Sequence, residues 1–172
     1  MAEMMKKPKV VEKAQTELRR ILKGKRKVTG IDLKKVIYQN LVIKETQRLH
    51  PPLPLLLSKR MQGALCIVNA WAINRDAEFW EDSESFTPER FKSNSSVIIW
   101  NLSDRILSIY HLAISFGLSN VELLLAQLIY HFNWKLPNEM KPEDVDVTET
   151  PGFSCSRKYN LCVIATSNNH GI

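Results

Sequence analysis

The stretch "LVIKETQRLHPPLPLLL", Leu41 to Leu57, places an acid, Glu45, and a base, Arg48, inside an apolar run that ends at two prolines. On a helix these two side chains are i and i+3 neighbours on one face, and Leu41, Val42 and Leu49 imply that much of the surrounding surface is buried. Pro51 and Pro52 disfavour a helical residue before them, so the helix stops at His50. A buried ion pair loses hydration that its own attraction does not return, so Glu45 and Arg48 need a third group. "FTPERF" offers one in Arg90, which follows a proline-bounded turn and is flanked by Phe86 and Phe91. A guanidinium is a planar fork of donors that can grip a carboxylate and backbone carbonyls together. Glu45, Arg48 and Arg90 therefore read as a structural clamp that pins an irregular coil to a helix. On this basis Arg90→Ala costs on the order of 3 to 5 kcal/mol.

The rest of the chain is what a clamp of this kind needs around it. With 172 residues, 44% of them hydrophobic and 24% charged, there is enough apolar side chain for one globular domain with a core. The longest apolar runs, such as "ELLLAQLIYHFNW", are broken by Gln, His and Asn and fall short of the roughly 18 to 20 residues that span a bilayer. "MAEMMKKPK" lacks the apolar segment of a secretory signal. Cys66, Cys155 and Cys162 form no CxxC pair, which argues against a zinc site or a disulfide framework.

Charge is unevenly placed. Met1 to Lys35 holds twelve Lys/Arg against four Asp/Glu, within a chain of net charge +6. Such a segment can bind nucleic acid or an anionic membrane surface, or be simply a solvated helix face. Nucleic acid is not expected, because Glu12 and Glu17 interrupt the basic residues and no aromatic side chain precedes Tyr38 to stack on a base.

Pro8 at a first helical turn, followed by Val11, Ala14, Leu18, Ile21 and Leu22 at three- and four-residue spacing up to Gly24, predicts an amphipathic helix. A short helix over Ile31–Val36 and a longer one ending at His50 follow. "ALCIVNA" predicts a strand over Ala64–Ala70, with Cys66 a small core residue. "WAINRDAEFWEDSESFTPERF" has turn formers and aromatics but little periodicity. A strong helix is predicted from Ser115, and "FSCSRKYNLCVIA" suggests two short strands about the polar Arg157–Asn160 turn.

The blocks "KETQRLHPP", "NAWAINRD", "FWEDSESFTPERF" and "ISFGLSNVELLLAQLIYHFNWKLP", in this order and spacing, closely resemble the C-terminal part of plant cytochrome P-450 enzymes. These are haem-thiolate monooxygenases, many acting on terpenoids and other specialised metabolites. The resemblance covers nearly the whole chain. It implies a mainly α fold with small β elements, one partial domain over 1–172, haem as the family's cofactor and an electron-donating reductase as its partner. It also implies that Glu45, Arg48 and Arg90 correspond to the family's Glu-x-x-Arg pair and the Arg of its Pro-Glu-Arg-Phe segment. The family is bound to the endoplasmic-reticulum membrane on its cytosolic face. No anchor segment is seen in this sequence, which leaves the expected location cytoplasmic or unknown.

The departures concern the chemistry. After Ser58 the sequence reaches Ala64 through only "KRMQG", where the family has further strands. The family's haem loop, Phe-x-x-Gly-x-Arg-x-Cys-x-Gly, runs into the helix that begins here near Ser115, and its thiolate donates electron density to iron. At about 95–113 this chain instead reads "SSVIIWNLSDRILSIYHLA", without Cys or Gly. Counting back from "ISFGL" puts His111 in the place of the missing cysteine, an imidazole that could in principle meet iron. A codon string for the family's Tyr-Ile-Pro-Phe-Gly-Ala, read one base later, can give Ile-Tyr-His-Leu-Ala, the sequence Ile109–Ala113. A non-catalytic fragment or pseudogene-like product of a monooxygenase is the expectation, with a basic interaction module that competes for the reductase as the alternative.

Overall fold

A computed structural model describes residues 1–61, 64–92, 111–150, 152 and 154–168, with the backbone alone at 56–61, 64–66 and 111–115. The chain forms two compact units. The first comprises Met1–Asn40, Ser115–Thr148 and Lys158–Ile172; the second comprises Leu41–Ile114 and Glu149–Arg157.

In the first unit, helices α1 (Ala2–Lys6) and α2 (Pro8–Ile21) are joined at Lys7. Pro8 stands at the start of α2, where its missing N–H is no loss. Val10, Ala14 and Leu18 are buried along one face of α2. Its end is followed by Gly24 at φ +77°, the left-handed conformation a glycine adopts without a Cβ penalty. α3 is Gly30–Leu33, shorter than the Ile31–Val36 expected. It opens on a reciprocal cap, in which the Thr29 amide donates to Asp32 Oδ2 at 3.1 Å and the Thr29 hydroxyl at 2.7 Å.

The long helix α6 (His111–His131) starts four residues before Ser115, because "HLAI" contains no breaker that would delay it. It runs straight into β3 (Phe132–Lys135), which pairs antiparallel with β6 (Ile164–Ser167). Ala2, Met5 and Val145 form a small core, joined by Val11, Trp134, Leu136, Val147, Leu161 and Val163. Tyr130, fully buried, donates its hydroxyl to the carbonyls of Leu22 at 2.8 Å and Lys25 at 2.9 Å, tying the basic loop after α2 to α6.

The second unit takes most of α4 (Tyr38–Leu49), followed by an antiparallel hairpin of β1 (Leu55–Met61) and β2 (Ala64–Asn69). β1 was not foreseen, since "LPLLLSKRM" holds a proline, Pro54, and shows no clean alternation. β2 ends one residue before Ala70 because Asn69 turns from strand partner to helix cap: its side-chain oxygen accepts from the Ala72 amide at 3.0 Å and opens α5 (Ala70–Ile73). The C-terminal strand expectation needs correction. β5 (Ser156–Arg157) pairs with β4 (Glu149–Thr150), whereas β6 pairs with β3, so the Arg157–Asn160 turn joins two different sheets and closes no hairpin. These partners are distant or external to the segment, where local periodicity carries no signal.

Candidate functional site

Helical spacing on α4 sets Glu45 and Arg48 side by side, and both side chains are fully buried. Arg48 Nε donates to Glu45 Oε2 at 2.9 Å and its Nη2 to Glu45 Oε1 at 3.0 Å, a bidentate fork. The remaining guanidinium hydrogens reach the coil beyond α5. Nη1 donates to the carbonyls of Asn74 at 2.6 Å and Ser83 at 2.7 Å, and Nη2 to that of Ser85 at 3.2 Å. All five guanidinium donors are thus used.

Arg90 lies on a 3-10 turn, Pro88–Lys92, which places its side chain over the same acid. Its Nε donates to Glu45 Oε1 at 3.1 Å, and its Nη atoms donate to the carbonyls of Glu81 at 2.6 Å, Asp82 at 3.2 Å and Ser85 at 3.1 Å. Thr87 adds its backbone N–H to Glu45 Oε1 at 2.7 Å. Asp82 takes φ +46°, a conformation unfavourable for a side-chain-bearing residue, just where its carbonyl turns toward Arg90. The Arg48 guanidinium carbon also lies 5.2 Å from the centroid of the buried Trp80 ring, which meets Phe91 at 5.7 Å.

Glu45 Oε1 accepts from three donors and Oε2 from one, so the acid ties α4 to the coil beyond α5 and to the turn that carries Arg90. The sequence brought out Glu45, Arg48 and Arg90; it did not single out Trp80 or the particular carbonyls. Their signal lay in the aperiodic "NRDAEFWEDSES" itself. A coil with few ladder partners leaves carbonyls that buried donors must satisfy.

A second polar group gathers at the end of α4. His50 Nδ1 meets Glu149 Oε1, and Cys155 Sγ lies 3.9 Å from Glu149 Oε2. Burial, first, and then the Glu149 charge and hydrogen bond push the Cys155 thiol above its ordinary range, partly offset by Arg75. Cys162 is exposed on the surface. The side chains of Cys66 and His111, and residues 93–110, lie outside the described residues. Among the described residues, no group of three or more His, Cys, Asp or Glu side chains could hold a metal ion, and no helix is long and apolar enough to cross a membrane.

The family profile of cytochrome P-450 matches residues 1–163. Alstonine synthase of Alstonia scholaris is 46% identical over 184 residues, covering 95% of this chain and 35% of that protein. Premnaspirodiene oxygenase of Hyoscyamus muticus is 42% identical, covering 96% of this chain and 36% of that protein. Amorpha-4,11-diene 12-monooxygenase of Artemisia annua is 40% identical, covering 95% and 36% respectively. A zebrafish cytochrome P-450 solved with abiraterone shares the fold, with a TM-score of 0.73 at 23% identity over 98% of this chain and 42% of that one. The chain belongs to the cytochrome P-450 family, with its mainly α fold and small β elements, and spans about a third of the length of these curated relatives. The match to alstonine synthase runs over more positions than this chain has residues, so the relative carries internal residues without a counterpart here.

Proposed function

We propose that this chain is a non-catalytic derivative of a plant cytochrome P-450 monooxygenase, one of those acting on terpenoid-like or other specialised metabolites. It keeps a structural clamp of Glu45, Arg48 and Arg90 without the haem ligand. The carrying observation is internal to the sequence: no cysteine occurs from Ile67 to Ser154, the interval that includes the approach to α6 where the family's ligand belongs. The named products and substrates of the relatives support the substrate class of the ancestor. Haem, the reductase and a membrane location are properties of the family's complete enzymes, and this chain holds the framework against which they act.

The test is direct. Purified full-length chain, titrated with haem, reduced and exposed to carbon monoxide, should give no stoichiometric complex with the red-shifted band of thiolate ligation. A stoichiometric complex showing that band would overturn the proposal.

One observation favours a second function. Lys7, Lys9, Lys13, Arg20, Lys23, Lys25, Arg26, Lys27, Lys34 and Lys35 are all exposed in the first unit. A basic module that competes for the acidic face of the reductase would bind that protein in a salt-sensitive way. Absence of such binding at low salt removes this second function.

A further inference from the structure

The basic loop between α2 and α3 ends on a hydroxyl that neither the clamp nor the reductase reading uses. The root of the loop is fixed, because Tyr130 bonds the carbonyls of Leu22 and Lys25. Val28, 2% exposed, fixes its far end. Between these anchors Arg26 and Lys27 stand in solvent. Thr29 follows, exposed and with an extended backbone at φ −118° and ψ 159°. An extended acceptor with positive side chains before it suits an enzyme whose substrate groove is acidic, since complementary charge guides the encounter and sets the register.

Sequence spacing and backbone conformation coincide at this threonine. Arg26 lies three residues before it and Lys27 two. Thr16 has Lys13 three residues before it, but it sits inside α2 and its hydroxyl donates to the Glu12 carbonyl at 2.8 Å. Among the described residues, no other Ser or Thr has an arginine three residues before it; Ser93 and Ser108 share that spacing and lie outside the described residues.

The Thr29 hydroxyl also closes the cap of α3. It donates to Asp32 Oδ2 at 2.7 Å, the Asp32 amide donates back to the Thr29 carbonyl at 3.0 Å, and Lys25 Nζ meets Asp32 Oδ1. A phosphoryl group on that oxygen replaces one donor by three acceptor oxygens carrying roughly two negative charges. The Asp32 carboxylate then meets a like charge at hydrogen-bond distance, while Lys25, Arg26 and Lys27 supply counter-charge from the same loop. The reciprocal cap cannot survive that exchange.

We propose that Thr29 is a phosphorylation site for a protein kinase that reads basic residues before its acceptor, and that phosphorylation releases the Asp32 cap and lowers the positive charge of the loop. The co-reactant is a nucleoside triphosphate. The bond from Thr29 Oγ1 to the γ-phosphorus forms and that from the γ-phosphorus to the β–γ bridging oxygen breaks. The nucleoside diphosphate leaves with the electron pair, and the hydroxyl proton passes to the base of the kinase. The test incubates the folded full chain with magnesium ATP and the catalytic subunit of the cyclic-AMP-dependent protein kinase, and maps phosphate by peptide mass. Phosphate is expected on Thr29 and not on Thr16. Arg26→Ala should lower kcat/KM for the transfer by about 10-fold or more, the effect of losing one charge-assisted contact. In the phosphorylated chain the Asp32 amide should exchange about 5-fold faster, as the loss of a helix cap requires. Thr29→Val, which keeps the shape of the side chain, should abolish incorporation at this position. No phosphate on Thr29, phosphate confined to Ser93 or Ser108, transfer indifferent to Arg26→Ala, or transfer only to the urea-unfolded chain would each overturn the proposal. The readouts need neither haem nor reductase, so their failure is separate from failure of the proposed function.

Discussion

Arg90→Ala and Arg48→Ala should destabilise the second unit unequally, and the order follows from where each guanidinium spends its donors. Arg90→Ala removes one bond to Glu45, but the acid keeps both Arg48 bonds and the Thr87 amide. The Glu81, Asp82 and Ser85 carbonyls it also releases lie at exposed positions, where water can replace it. The loss is then dominated by one charge-assisted bond to a buried carboxylate, about 3 kcal/mol, at the lower end of a broken buried pair. Arg48→Ala is worse. It takes both fork bonds from Glu45, strands the carbonyls of Asn74 and Ser83, and opens space beside Trp80, for about 5 kcal/mol. The assay is urea unfolding of the full chain, combined with hydrogen exchange at the Thr87 amide. For Arg90→Ala that amide should exchange about 100-fold faster, the equivalent of the stability lost if it opens with the unit. Arg90→Lys should recover less than half of the loss, because a point charge cannot span the acid and three carbonyls. Unchanged melting of Arg90→Ala, or a larger loss for Arg90→Ala than for Arg48→Ala, would refute the reasoning.

The cap of α3 should respond to acid. Hydrogen bonds from Lys25 and then from the Thr29 hydroxyl and amide hold the Asp32 carboxyl down at about 2, below an ordinary value of about 3.9. A depressed folded pKa contributes stability that is complete above the unfolded value and lost as pH falls through the folded one. The Thr29 amide should therefore lose protection between about pH 4 and pH 2, and Asp32→Asn should remove that transition; a transition that persists in Asp32→Asn would assign it elsewhere. Tyr130→Phe should destabilise the first unit by about 1 to 3 kcal/mol, since the buried carbonyl of Leu22 and the partly buried one of Lys25 lose a shared donor. Denaturant midpoints equal to those of the unaltered chain would show that water takes over that role.

The clamp could be found in the sequence because its components obey short-range rules. Three residues on a helix fix which face Glu45 and Arg48 share, two prolines fix where that helix ends, and apolar neighbours imply burial. Gly24 and Pro8 mark the limits of α2 for equally local reasons. What escaped has the opposite character. β1 became a strand through its pairing with β2, and β5 and β6 took partners outside their own segment, so no local pattern could assign their registers. Trp80 stands beside Arg48 through a coil whose path is set by the carbonyls it offers, and a sequence shows only that such carbonyls exist.

The same contrast bears on the proposal that this chain keeps the framework of a monooxygenase without its chemistry. Glu45, Arg48 and Arg90 are saturated by one another and by the coil between Asn74 and Thr87, so their stability is satisfied within a single unit. Nothing in that network refers to an iron ligand. A thiolate, by contrast, enters through one side chain in one loop, and exchange of that loop for a segment without cysteine leaves every bond of the clamp in place. On that proposal fold and ligation are separable, because they rest on different physical grounds.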